Sequence, residues 1–284
     1  MQYRLIALDL DGTLLTGRHE ITPRTREALR AARERGIALA VATGRTHQSA
    51  REYSLRIGGG PVISCNGAAV ADSSGEFLSV KAIPHAPLKR CLELCISQRL
   101  LLECYTPHGI LLDKPMAHLK AYLDWVRPGL GLPRAIPALG VIWRTNRITT
   151  VRNLVTWSDK PDHAPVLKLL AVGEPAALKS VAAQIGREAP GVHITSSSWN
   201  NIEVTAAGVS KGYGLQMLGA RLQIPREAML AFGDSENDAE MLAYAGTGVA
   251  MGNAPEAVKA RAARVTGTSD QDGVASVIEE MCLS

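Results

Sequence analysis

The sequence predicts an α/β fold: a parallel sheet with helices on its faces, interrupted by a separate α+β unit. Three observations carry this prediction. Near both ends of the chain, short apolar runs that stop at an acid or a Thr-Gly pair alternate with amphipathic stretches. The middle has a different texture, broken by Pro84, Pro87, Pro107, Pro115, Pro128, Pro133 and Pro137. The length of 284 residues suits about two domains.

Each element follows from local pattern. Residues 4–9, RLIALD, are an apolar run closed by an acid and read as a buried strand. Thr22-Pro23 supplies an N-cap and a first-turn proline, Gly36 a stop, and a helix lies between them. Residues 37–42 form a second buried strand, followed by Thr43-Gly44-Arg45. A helix over 46–57 and a third strand over 62–65 complete a strand–helix–strand–helix–strand run, the signature of parallel pairing. Residues 68–83 read as a hairpin turning at Ser73-Ser74-Gly75.

In the middle, helical patterns fall at 87–98, 115–126 and 174–188, and strand-like runs at 100–105, 109–112, 166–172 and 192–197. The stretch 128–165 shows no clear period. After 200 come a strand (NIEVT), a helix opening at Ser210, a strand (MLAFGD), a helix ending at Gly246, a strand (TGVAM) and helical segments at 254–263 and 273–281. The expected organisation is therefore a core from residues 1–83 and 199–284, with 84–198 inserted as a second domain.

Composition excludes several classes. With 46% hydrophobic and 20% charged residues, the chain has enough apolar surface to fold. No charge-free apolar run reaches the roughly 18 residues of a membrane helix, and Asp9 and Asp11 interrupt any signal-peptide core. A net charge of +4 is too small for a nucleic-acid footprint unless clustered. The densest basic stretch, Arg24 to Arg35, is interleaved with Glu27 and Glu34 and reads as a solvated helix face. Five cysteines without a CxxC pair read as reduced, buried thiols, which with the missing leader points to the cytoplasm.

The chemistry gathers at strand ends, where open parallel sheets bind ligands. Asp9 and Asp11 are two apart in an extended segment, so both can face one site. Two carboxylates about 4 Å apart repel by roughly 4 kcal/mol at an effective dielectric near 20, so a proton or a cation must offset them. Asp234 and Asp238 are four apart, and a helix starting there presents both to one side. Such hard oxygen ligands suit Mg²⁺. Lys211, at a helix start, is a charge anchor for acids or phosphate; Thr43-Gly44-Arg45 is a plausible phosphate grip; Asn237 adds a neutral donor.

Five strings in this order, DLDGTLL, ATGR, ISCNGA, VSKGYGL and GDSENDAEM, resemble the haloacid dehalogenase-like superfamily, and within it the Cof-type phosphatases. The match covers roughly the first 83 and last 85 residues and implies a Rossmann-like core with an inserted α/β cap. It further implies a Mg²⁺-dependent phosphatase for small phosphorylated metabolites, with Asp9 as nucleophile and Asp11 as general acid and base. Asp9, the backbone carbonyl of Asp11 and Asp234 would hold Mg²⁺, supported by Asp238. Leu10 through its N–H, Thr43, Gly44, Arg45, Lys211 and Asn237 would bind phosphate.

Arg45 and Asn66 belong to the strings with open roles, and Glu203 is a candidate either to orient Lys211 or for structural pairing. A phosphomutase shares the chemistry. A phosphoacceptor signalling domain has no use for Asp11 or for the insert. Candidate substrate contacts in the insert are His108, Lys114, Arg144 and Arg147. Few aromatics argue against a stacking pocket, although Trp125, Trp143 and Trp157 fall in the insert and Trp199 beside it.

Overall fold

The computed structural model describes residues 3–121 and 145–284. They form two compact units, one from residues 3–81, 195–197 and 208–284, and the other from residues 82–121, 145–194 and 198–207.

In the larger unit, strands β1 (Leu5–Leu8), β2 (Ala38–Ala42), β3 (Val62–Ser64), β4 (Ala69–Ala71) and β5 (Phe77–Val80) alternate with helices α1 (Pro23–Glu34) and α2 (His47–Arg56). The eight-stranded sheet is completed from the far end of the chain by β12 (Met229–Gly233), β13 (Thr247–Ala250) and β14 (Arg264–Val265), in the order β14-β13-β12-β1-β2-β3-β4-β5. Pairing is parallel from β14 to β3, and the β3–β4–β5 end is antiparallel. Leu8 sits beside both Phe232 and Val41. This register brings the carboxyl ends of β1, β12 and β2 level, which is what later assembles the site.

Alternation along these strands fills two cores. Ile6, Leu8, Leu39, Val41, Leu230 and Phe232 pack on one side with Leu29 of α1 and Val277 of helix α10 (Gly273–Ile278). Leu5, Ala7, Ala40, Ala42 and Ala231 pack on the other with Leu215 of helix α7 (Lys211–Leu222) and Leu242 of helix α8 (Ala239–Tyr244). Both faces are buried, so these strands read as continuous apolar runs. Each large side chain so buried contributes about 1.5–3 kcal/mol. The start of α1 follows its sequence signals: the Thr22 hydroxyl accepts from the Thr25 N–H at 3.1 Å, and Pro23 opens the helix.

The smaller unit is a six-stranded sheet in the order β10-β11-β9-β6-β7-β8. Its strands are β6 (Leu101–Thr106), β7 (Gly109–Leu112), β8 (Thr149–Thr150), β9 (Lys168–Val172), β10 (Val192–Thr195) and β11 (Asn201–Ala206). Helices α3 (His85–Ser97), α5 (Leu154–Ser158) and α6 (Pro175–Glu188) pack on one face through Leu92, Leu154 and Val181, against Leu102, Leu169 and Val204. Alternation turns Glu103, Tyr105, Lys168 and Glu203 to the other face.

Several boundaries differ from the sequence reading. β11, expected in the core domain, pairs antiparallel with β9, and Ile202 and Val204 join the smaller unit's core. An apolar strand pattern does not say which sheet will receive it. The helix expected over 254–263 is only α9 (Glu256–Lys259), followed by the edge strand β14. Of the helix expected over 115–126, Pro115–Ala121 is helical (α4) and the remainder lies outside the described residues. All five cysteines are buried, and none is in a disulfide. Burial pushes the Cys91 and Cys95 thiols up to about 12. No helix among the described residues is long and apolar enough to cross a membrane.

Candidate active site

The level strand ends of the larger unit gather the acids. Asp9 follows β1, Asp234 follows β12, and one oxygen from each of Asp9, Asp234 and Asp238 lies within 4.8 Å of the others. Lys211, the first residue of α7, is buried and donates to Asp9 Oδ1 and to Asp238 Oδ1, both at 2.7 Å. Its helix is opened by Ser210, whose hydroxyl accepts from the Tyr213 N–H.

Asp234 and Asp238 are not on one helix face, as their spacing suggests. Asp234 follows the strand, and Asp238 closes a 3-10 turn, Glu236–Asp238, before α8. Asp238 Oδ2 accepts from the Asp234 and Ser235 N–H groups at 3.0 and 2.9 Å, a capping box that folds the carboxylate back toward Lys211. Gly12, at φ 80°, lets Asp234 approach the exit from β1; a Cβ there would stand 2.3 Å from Asp234 Oδ2.

Three carboxylates against one ammonium set the electrostatics. Burial, then the charge of Asp238, push the Asp9 carboxyl well above its ordinary value, and Lys211 opposes this only in part. Burial and Asp238 raise Asp234 to about 6. Burial would lower Lys211, but Asp238 and Asp9 override it and hold the ammonium charged. With all three acids ionised the cluster would exceed the Lys211 charge by two, in hard oxygen donors, so a divalent cation fits both its charge and its chemistry. Among the described residues it is the one group of three or more potential metal-ligating side chains.

The Asp11 carboxylate stands apart from this cluster. Arg45 grips it through two nitrogens, Nε to Oδ2 at 2.7 Å and Nη2 to Oδ1, and His19 Nδ1 lies 3.7 Å from Oδ1. Burial alone would raise Asp11, but His19 and Arg45 outweigh it and hold the carboxyl below the usual range. Arg45, expected as a phosphate grip, thus engages the second aspartate, with Tyr53 4.9 Å from its guanidinium.

The remaining motif residues form one connected network. Thr43 is buried, its hydroxyl accepts from the Arg45 N–H at 3.2 Å, and its carbonyl accepts from the Asn66 N–H at 3.1 Å. Asn66 Oδ1 in turn accepts from Asn237 Nδ2 at 3.1 Å, next to Asp238. Gly44 lies between Thr43 and Arg45, and the Leu10 side chain is in the core. Glu203, a candidate either to orient Lys211 or for structural pairing, lies in the smaller unit and accepts from Lys168 at 2.6 Å.

Three contributors escaped the sequence reading. Thr13 donates to Asp234 Oδ1 at 2.9 Å, and Asn253 donates to Asp234 Oδ2 at 3.2 Å and to the Gly12 carbonyl. His19 is the third. Asn253 did carry a signal, a polar residue just past a buried strand; His19 carried none, because a left-handed turn brings it back to Asp11. Of the candidate substrate contacts, His108 and Arg147 line one cavity of the smaller unit, Lys114 is exposed before α4, and Arg144 lies outside the described residues, as do Trp125 and Trp143.

Known proteins match along the whole chain. A family model described as haloacid dehalogenase-like hydrolase matches residues 6–278. A pyridoxal phosphate phosphatase of Escherichia coli is 31% identical over 98% of this chain and 98% of its own length. A 5-amino-6-(5-phospho-D-ribitylamino)uracil phosphatase of Bacillus subtilis is 30% identical over 97% of this chain and 96% of its own. A solved haloacid dehalogenase-like hydrolase of B. subtilis superposes with a TM-score of 0.85 at 31% identity, covering 98% of this chain and 99% of that one.

Proposed function

The chain belongs to the haloacid dehalogenase-like hydrolases and is a phosphoric monoester hydrolase, and we propose that it removes phosphate from small phosphorylated metabolites through an aspartyl-phosphate on Asp9. The supporting observation is the arrangement of Asp9, Asp234 and Asp238 around Lys211. The two relatives above are both named for phosphorylated small molecules, which supports the substrate class.

Asp9 would hold Mg²⁺ together with Asp234 and the backbone carbonyl of Asp11, with Asp238 behind them. When bound, the ion neutralises charge between these carboxylates and the phosphoryl oxygens. Lys211 orients Asp9 through its 2.7 Å hydrogen bond and offsets part of the burial that disfavours its anion, and a bound cation would supply the rest. The Asp9 carboxylate attacks phosphorus and the ester P–O bond breaks, while Asp11 gives its proton to the departing alkoxide. Asp11, now ionised, takes a proton from water. That water attacks the acyl-phosphate, inorganic phosphate leaves, and Asp9 is regenerated. Pairing with Arg45 favours the ionised form of Asp11, the form that takes the proton from water. Thr43, Gly44, Lys211 and Asn237 would hold the phosphoryl oxygens, where positioning and charge supply most of the catalysis.

The test is release of inorganic phosphate from p-nitrophenyl phosphate with Mg²⁺. Wild type should turn over, and Asp9→Asn should lose roughly 10⁴-fold or more in kcat. Undiminished turnover in Asp9→Asn, or none in wild type, would sink the reading.

A further inference from the structure

The smaller unit contains a cavity that the chemistry above does not use. It has a volume of about 260 Å³, below the usual range for drug-sized ligands, so its occupant is small. Its wall carries Arg147, Lys160, His108 and His163, with Trp157, and a single acid, Asp162. Among the described residues, no hydrogen bond or ion pair engages the side chains of Arg147 and Lys160. Two unpaired cations against one carboxylate leave the wall net positive before any imidazole is protonated.

The wall is built rather than incidental. Arg147 is held in the left-handed region, φ 47°, which a residue with a side chain rarely adopts. Gly109 makes this possible: a Cβ there would stand 2.4 Å from the Arg147 carbonyl oxygen, and the Ile110 N–H donates to the Asn146 carbonyl at 3.2 Å. The turn that presents His108 is pinned at Thr106, whose hydroxyl donates to the Gly109 carbonyl and accepts from the His108 N–H. His163 is fixed by its Nδ1 contact with the Ala164 carbonyl at 2.9 Å, and its ring lies 5.2 Å from Trp157.

We propose that this cavity binds a small organic dianion, a phosphate or phosphonate attached to a planar ring. Arg147 and Lys160 take the anionic head, and a guanidinium is well matched to its paired oxygens. The indole of Trp157 and the Leu111 side chain take the flat, apolar body. All of these residues belong to the smaller unit, so the site stands whether or not the reaction assigned to Asp9 does.

Tryptophan emission titrated with phenylphosphonate in EDTA tests this, since the probe has the dianion and the ring but no ester bond. A saturable change is expected in wild type and should vanish in Trp157→Phe. It should also weaken by about tenfold or more in the Arg147→Gln/Lys160→Gln double variant. Both cations are exposed, so their replacement leaves the fold intact. Asp9→Asn should titrate like wild type. The proposal fails if no saturable change occurs, if it survives the double variant, or if Asp9→Asn abolishes it.

Discussion

Each unit of this protein buries a lysine against a carboxylate, and the two pairs differ in their charge balance. In the smaller unit Lys168 meets Glu203 at 2.6 Å, with the Tyr105 ring 4.4 Å from its Nζ. In the larger unit Lys211 meets Asp9 and Asp238, and Asp234 stands beside them. Lys168 and Glu203 offset each other's charge, and the pair serves the fold. Three acids around one lysine are incomplete, and the missing charge is what makes the cluster fit a cation and a phosphoryl group. The same two residue types thus support structure in one place and chemistry in the other.

Substitution of the two lysines should separate these roles most sharply. Lys211→Met is expected to lower kcat for phosphate ester hydrolysis by roughly 10³-fold or more. Lys168→Met should leave kcat within about tenfold of wild type. Equal losses would erase the distinction.

Stability should show the reverse emphasis. Glu203→Gln takes a carboxylate away from the buried Lys168, and urea unfolding should report about 3–5 kcal/mol of destabilisation. The double change Lys168→Met/Glu203→Leu should recover most of it, because an apolar pair of similar volume replaces both ions. If the double variant is as unstable as the single one, the pair is not self-contained.

Proton linkage gives a smaller effect with a definite sign. Burial and Asp238 raise Asp234 to about 6 in the folded chain, against an unfolded value near 3.8. A raised carboxyl means that folding disfavours its anion. The penalty is fully present above the folded value and disappears as pH falls through about 6 toward the unfolded value. Metal-free protein should therefore lose roughly 1–3 kcal/mol between pH 5 and pH 7.5. Mg²⁺ should raise Tm more at pH 7.5 than at pH 5, and Asp234→Asn should shrink that difference, leaving the share that Asp9 contributes. A metal response independent of pH would contradict the unbalanced-charge account.

The smallest expected effect is at Asp11, whose ion pair with Arg45 is half exposed. Arg45→Ala should change stability by less than about 1 kcal/mol. Burial raises the Asp11 carboxyl, but His19 and Arg45 lower it further. Loss of Arg45 should therefore move the acidic limb of the pH–rate profile to higher pH.

Much of the fold was legible because it rests on local signals. RLIALD and MLAFGD are apolar on both faces and stop at acids, and their helices start at Thr22-Pro23 and Ser210. The fate of NIEVT was not legible: Ile202 and Val204 would suit either sheet, and only pairing with β9 chose the smaller unit. The acids and Lys211 were readable as motif residues, yet their spacing misled at Asp238, where a capping box replaced the expected helix face.

The sequence by itself determined which chemical groups this protein has, and that Asp9, Thr43 and Asp234 stand at strand ends, because alternation and capping act over a few residues. Tertiary structure alone decided their partners. Arg45 turned to Asp11, Glu203 paired with Lys168, Asn253 and Thr13 closed on Asp234, and His19 returned to the site through a left-handed turn. Such contacts join residues from 8 to 221 positions apart, and no local pattern encodes which of several compatible partners the folded chain brings within reach.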